Sequence, residues 1–139
     1  MALGGWAIAA STSLAWLGLQ FVLMRRINRR DATPAAGRWA LLRAWWLEAL
    51  TCTWVFGWLQ PFAHRQQPDW LPPTPTGQRG VVLVHGFLCN RGVWLPWLPE
   101  LRARGHAYVA LTLEPAFGSV DDYVAAIDTA MRQVQAATG

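Results

Sequence analysis

The stretch Val81-Val82-Leu83-Val84-His85-Gly86-Phe87-Leu88 decides the fold that is predicted for this chain of 139 residues. Its first four residues are apolar and three of them are β-branched, which is typical of a strand buried on both faces of a parallel sheet. The His-Gly pair that follows predicts a sharp turn, because glycine adopts backbone conformations that other residues avoid. Backbone N–H groups beyond this turn are then free to face a ligand.

Helix and strand signals alternate after the turn. A helix is predicted over about 93–104, with Gly105 as its C-cap, and a second strand over about 108–113. Ser119 is predicted to cap a last helix, since it precedes two aspartates and an apolar spacing close to 3.6. Strand, helix, strand and helix in this order imply a right-handed parallel crossover, and therefore an α/β fold for residues 80–139.

The segment VVLVHGFLCNRGVW, residues 81–94, resembles the first parallel strand and the oxyanion loop of α/β-hydrolase lipases and esterases. The resemblance implies a serine hydrolase that acts on carboxylic esters or lipids, and no cofactor or metal is expected. It assigns the backbone N–H of Phe87 to the oxyanion hole, and His85 and Gly86 to the turn that holds that group. It also makes His85 a loop residue and not the general base.

The serine nucleophile of such enzymes lies in a Gly-x-Ser-x-Gly elbow after a later strand. The serines of this chain are Ser11, Ser13 and Ser119, and none of them has glycines at that spacing. In the resembled family the strand with the elbow would come next, after residue 139. We therefore expect an incomplete hydrolase sheet that lacks the serine, the acid and the catalytic histidine, and that is inactive alone.

Residues 1–62 are predicted to form a membrane region ahead of this sheet. Residues 2–24 carry no charge, and at 1.5 Å per residue they span roughly 35 Å, enough for a bilayer core. A cleaved signal peptide is disfavoured because its basic residues would precede the apolar stretch. Residues 44–62 are predicted to form a second transmembrane helix. Glu48 leaves an alternative open, in which this segment is an amphipathic helix in the membrane interface.

All twelve basic residues are arginine, and six of them lie between the two apolar segments. This arginine-rich loop fits the positive-inside rule of membrane proteins. It therefore indicates a lipid bilayer as the partner, and not a nucleic acid. The predicted location is the inner cell membrane, with two spans and the hydrolase part on the periplasmic side. Residues 63–79 contain four prolines and are predicted to be a stiff linker to residues 80–139.

Neither cysteine, Cys52 nor Cys89, has the spacing of a metal site or a clear disulfide partner. Three functional hypotheses remain open on the sequence. The first is the N-terminal part of a membrane-anchored serine hydrolase, whose substrate is a hydrophobic ester. The second is a non-enzymatic membrane protein. The third is one half of a split hydrolase, completed by another chain.

Overall fold

The computed structural model describes residues 2–32 and 34–139, with side chains described from residue 12 onwards except at residue 33. It is mostly helical, at 58% of residues, and its sheet has two strands. The chain divides into two compact units, one up to Thr53 and the other from Trp54 to Gly139. The three-part organisation inferred from composition stays a prediction.

The first unit consists of two helices and a short connection. Helix α1 covers Ala2–Ile27, a 3₁₀ turn covers Asn28–Arg30, and helix α2 covers Arg38–Trp54. The two helices meet at Trp45, whose indole Nε1 donates to the carbonyl oxygen of Leu14 at 3.3 Å. Ala49 is the buried residue of this unit, and the other side chains described there are exposed or half-buried.

The prediction of transmembrane helices at 2–24 and 44–62 is wrong. Within the residues described, no helix combines the length and the mean hydropathy that a membrane span requires. Charge is one physical reason, because α2 holds Arg38, Arg43 and Glu48 within its 17 residues. The absence of charge along a segment is therefore a weaker criterion for a membrane span than the mean hydropathy of that segment. The predicted multi-pass location in the inner membrane is overturned by the same finding.

The second unit is built around two short parallel strands. Strand β1 covers Val81–Leu83 and strand β2 covers Tyr108–Ala110, with Val82 opposite Val109. Between them lie a 3₁₀ turn, Arg91–Trp94, and helix α3, Leu98–Ala103, and helix α4, Val120–Thr138, follows β2. The predicted fold class, an incomplete α/β-hydrolase sheet after transmembrane helices, is thus wrong, since hydrogen-bonded strands occupy few residues and helix dominates.

Strand β2 is shorter than predicted. The sequence predicted a strand to residue 113, whereas β2 ends at Ala110. Leu111 still donates its N–H to the carbonyl oxygen of Leu83 at 3.0 Å. The chain then leaves the sheet toward Pro115, which follows a cis peptide bond. An apolar run therefore overstated the length of hydrogen-bonded strand, because burial alone does not require a pairing partner.

The two faces of the sheet bury different residues, as alternation along a strand requires. One face packs against helix α4, and this cluster contains Val82, Val109, Leu111, Ala130 and Val134. The other face packs against α3 and against a π-helical segment, Val55–Ala63, and its buried members are Leu59, Ala63, Leu83, Leu95, Leu98, Tyr108 and Ala110. The sheet is thereby covered on both sides.

The proline-rich segment also contributes to the sheet. Trp70 forms an antiparallel bridge with Tyr108. The Trp70 N–H donates to the Tyr108 carbonyl oxygen at 3.0 Å, and the Tyr108 N–H donates to the Trp70 carbonyl oxygen at 2.8 Å. Strand β2 is therefore paired along both edges, whereas β1 has β2 as its one neighbour within the described residues.

Helix α4 begins where the sequence predicts. Ser119 is its N-cap, and the Ser119 N–H donates to the Asp122 carboxylate at 2.7 Å. The Tyr123 hydroxyl donates to the carbonyl oxygen of Pro115 at 2.6 Å. The start of α4 thus anchors the loop that leaves β2.

Gly80 is expected to be intolerant of a side chain. A Cβ on this residue would overlap the Val134 side chain of α4 and lie 3.2 Å from Thr138 Cγ2. We expect Gly80→Ala to lower the free energy of unfolding by about 1–3 kcal/mol, the usual range for overpacking. The double variant Gly80→Ala/Val134→Ala should cost less than the sum of the two single changes, because the smaller residue removes the overlap. Urea unfolding of the four proteins measures this coupling, and strict additivity would contradict the close contact.

Candidate functional site

The loop after β1 makes a tight β-turn over residues 86–89. The Cys89 N–H donates to the Gly86 carbonyl oxygen at 3.2 Å, and Leu88 has a φ of 56°. A left-handed backbone costs a non-glycine residue roughly 1–2 kcal/mol. Such strain persists only where the surroundings impose it, and it is concentrated at ligand-binding and catalytic loops. The sequence contained no signal for it, because leucine is an unusual residue at this position of a turn.

Phe87 occupies the position before Leu88 in this turn. Its backbone N–H donates to no acceptor within the residues described. Its ring is 72% exposed and makes an edge-to-face contact with Phe117, at 5.6 Å between ring centroids. The donor that the resemblance assigns to an oxyanion hole is therefore unused by the chain itself.

His85 joins the loop after β1 to the loop after β2. The Leu113 N–H donates to His85 Nε2 at 2.9 Å, so this nitrogen is an acceptor and the proton of the neutral ring is on Nδ1. Nδ1 donates to the Gly86 carbonyl oxygen at 2.8 Å. With a partner on each nitrogen, His85 positions backbone and is poorly placed to accept a substrate proton.

Asn90 and Gln60 clamp the end of this loop against the π-helical segment. The Asn90 N–H donates to Gln60 Oε1 at 2.8 Å, and Asn90 Nδ2 donates to the Gln60 carbonyl oxygen at 3.0 Å. Asn90 Oδ1 also accepts from the Gly92 N–H at 2.8 Å. Sequence reasoning missed this clamp, because its two residues are thirty positions apart and neither belongs to a motif.

Arg91 ties the same loop to the proline-rich segment. Its Nη2 donates to the Gln67 carbonyl oxygen and to Asp69 Oδ1, both at 2.8 Å. Asp69 Oδ1 in turn accepts from the Ala110 N–H at 3.0 Å. The pair is half-buried, so it is less screened than a surface ion pair. It links the loop, the linker and strand β2 in one network.

A cavity of about 750 Å³ opens beside these loops, at the carboxyl ends of β1 and β2. This is the edge of a parallel sheet where α/β proteins bind ligands. Its walls come from the π-helical segment and from the loops after the two strands: Phe56, Gln60, Pro61, His64, Arg65, Leu88, Cys89, Asn90, Arg91, Thr112, Leu113, Glu114 and Ala116. Phe87 is adjacent to this wall through Leu88.

Two donors in the cavity wall have no acceptor. Gln60 Nε2 and Arg91 Nε are buried and form no hydrogen bond within the residues described. Burial raises the pKa of the neighbouring Tyr108 phenol, and Arg102 and Arg91 partly oppose that shift. The wall therefore offers two hydrogen-bond donors to a ligand that carries acceptor groups.

No serine lines this cavity among the described residues. Ser119 caps α4 and is not in the cavity wall, and the Ser11 side chain lies outside the described residues. Cys89 is in the wall, and within the described residues its thiol forms no hydrogen bond with His85 or with His64, which also lines the cavity. In the part of the chain that the structure describes, no group of three His, Cys, Asp or Glu is arranged to hold a metal ion.

Comparison with known proteins adds nothing to this geometry. No protein-family model matches the chain, and no curated protein and no solved structure matches it either. The likeness to the lipases and esterases consequently stays a prediction from the motif at 81–94.

Proposed function

We propose that the second unit is the oxyanion-loop part of a serine hydrolase that acts on carboxylic esters. The observation that supports this most directly is the unused Phe87 N–H. It lies in a strained turn at the carboxyl end of a parallel strand, beside a cavity of about 750 Å³. An N–H in such a position stabilises the negative oxygen of a tetrahedral intermediate, since it is held in place before charge develops.

The proposal requires a nucleophile from outside these 139 residues. The edge of β1 that has no neighbour within the described chain offers a place for a further strand, because its outward N–H and C=O groups can pair with another backbone. A strand that ends in a Gly-x-Ser-x-Gly elbow at this edge would bring its serine to the same carboxyl end. This strand and its serine would come either from further residues of a longer protein or from a second chain.

Phe87→Pro is the variant that tests the oxyanion assignment. Proline removes the N–H, and its fixed φ suits the second residue of a turn whose third residue is left-handed. Phe87→Leu retains the N–H and is the matched control. In the assembled enzyme we expect Phe87→Pro to lower kcat for p-nitrophenyl butyrate by roughly 10²–10³-fold, the usual effect of losing one oxyanion donor.

The assembly itself is found by reading the DNA beyond the Gly139 codon and the adjacent reading frames for an apolar strand followed by Gly-x-Ser-x-Gly. The present chain alone should not be labelled by a fluorophosphonate probe, whereas the chain expressed together with that segment should be labelled at the elbow serine. Labelling of the chain alone would contradict the proposal. So would an assembled enzyme in which Phe87→Pro and Phe87→Leu have the same kcat.

A further inference from the structure

Helix α2 presents one face of exposed apolar side chains. Trp39, Leu42, Trp46 and Leu50 recur at intervals of three and four residues, so they lie on one side of the helix. Their exposed fractions are 71%, 50%, 52% and 53%. Trp45 turns instead toward α1, where its indole donates a hydrogen bond. We refer to these four exposed residues as the α2 face.

Two arginines lie next to the α2 face, and four more precede it in the chain. Arg43 lines a groove of about 420 Å³ together with Trp39, Leu42, Trp45 and Trp46. The Arg38 guanidinium carbon lies 5.8 Å from the centroid of the Trp39 ring. The arginines of residues 25–43 are all exposed, and none forms an ion pair within the residues described: Arg25, Arg26, Arg29, Arg30, Arg38 and Arg43.

Acidic residues are few near the α2 face. Asp31 is the one acidic residue between positions 25 and 43. Glu48 comes nine residues after Trp39, which at about 100° per residue places it roughly half a turn away, on the opposite side of α2. There its carboxylate accepts a hydrogen bond from the Cys52 thiol at 3.5 Å. The α2 face is consequently apolar, and the charged side chains shown next to it, Arg38 and Arg43, are positive.

We propose that the α2 face docks on the surface of an anionic lipid bilayer. Tryptophan and leucine side chains enter the boundary between headgroups and acyl chains, because an indole combines a large apolar ring with one polar N–H. The arginines bind headgroup phosphates, and their apolar stems lie along the same boundary. The helix lies along the surface in this arrangement.

Charge complementarity and apolar area together favour an anionic bilayer as the partner of the α2 face. Six exposed arginines that form no ion pair among the described residues favour an anionic partner, since a polybasic segment is attracted to anionic lipid. A nucleic acid offers the same charge, but its outer surface is phosphate and sugar, so four large apolar side chains would stay in water. A bilayer satisfies both properties of the α2 face.

Flotation of the full chain with vesicles tests the proposal. We expect the chain to bind phosphatidylcholine vesicles that contain phosphatidylserine, and to bind at least tenfold more weakly to phosphatidylcholine alone. High salt should weaken the binding to the anionic vesicles, since screening acts on exposed charges. Equal binding to the two vesicles, or binding to neither, would overturn the proposal. This comparison uses the unaltered chain and does not depend on how any variant folds.

Variants separate the two contributions. Arg25→Gln/Arg26→Gln/Arg29→Gln/Arg30→Gln should weaken binding to the anionic vesicles roughly a hundredfold or more. Trp39→Ser/Trp46→Ser should weaken it on both vesicles. The matched controls lie in the second unit, at the exposed residues Arg104, Arg132 and Trp97, and Arg104→Gln/Arg132→Gln and Trp97→Ser should bind normally. Tighter binding to duplex DNA than to the anionic vesicles, or equal loss in variants and controls, would refute the assignment.

Discussion

Gly92→Ala is expected to unfold the second unit at urea concentrations that leave the original chain folded. A Cβ at this position would lie 2.8 Å from Gln60 Cα, 2.8 Å from the Leu59 carbonyl oxygen and 2.8 Å from Asn90 Oδ1. Two of these atoms are backbone, so no change of rotamer relieves the contact. The 3₁₀ turn at Arg91–Trp94 would have to move away from the π-helical segment.

Such a movement breaks more than one contact. The two hydrogen bonds of Asn90 with Gln60 span the same gap, and each contributes about 1 kcal/mol. Together with overpacking of about 1–3 kcal/mol, we expect a loss of about 3–5 kcal/mol. Domains of this size have roughly 0.05–0.15 kcal/mol of stability per residue, so this loss is a large part of the total.

Gly57→Ala and Gly86→Ala are the matched controls for Gly92→Ala. A Cβ at either glycine has nothing within 4 Å, and we expect each change to alter stability by less than about 1 kcal/mol. Urea unfolding followed by far-ultraviolet circular dichroism and tryptophan fluorescence measures all three. If Gly92→Ala unfolded at the same midpoint as Gly57→Ala, the close approach of the two backbone segments would be refuted.

Leu98→Ala is expected to have the second large effect. Leu98 is 0% exposed and packs from α3 against the cluster that contains Leu83 and Tyr108. Removal of its isopropyl group loses buried apolar surface and leaves a cavity that the surrounding residues fill only in part. Such changes cost roughly 2–5 kcal/mol, and we expect a value of about 3 kcal/mol for this position.

The control for Leu98→Ala removes the same atoms at the surface. Leu71 is 38% exposed and lies in the proline-rich segment, so Leu71→Ala should lower the free energy of unfolding by less than about 1 kcal/mol. The two variants are compared by the urea concentration at the midpoint of unfolding. Equal midpoints would show that α3 is not packed on the sheet in solution.

Local signals in the sequence predicted part of this architecture. The apolar run at Val81–Val84 predicted a strand that the structure places at Val81–Leu83, and Ser119 predicted a helix start that is observed at Val120. Both signals act within a few residues, because a β-branched run or a capping side chain biases the backbone around itself. The membrane spans failed as predictions, since freedom from charge over a length did not amount to sufficient mean hydropathy.

The candidate site was predicted less completely than the strand. The sequence pointed to the turn at His85-Gly86-Phe87, and the assignment of the Phe87 N–H to an oxyanion hole stays a prediction. The left-handed Leu88 and the Asn90–Gln60 clamp were not foreseen. A strained backbone needs distant residues to hold it, and those residues are not near it in the sequence.

By itself, the sequence determined where a strand, a tight turn and a capped helix begin, because these are properties of neighbouring residues. The tertiary structure alone decided that Trp70 and β1 pair with opposite edges of β2, and that Gly80 and Gly92 leave no room for a Cβ. Among the residues described, it also left the Phe87 N–H without an acceptor. Each of these depends on segments that are far apart in sequence, and only packing brings such segments to within a few ångströms.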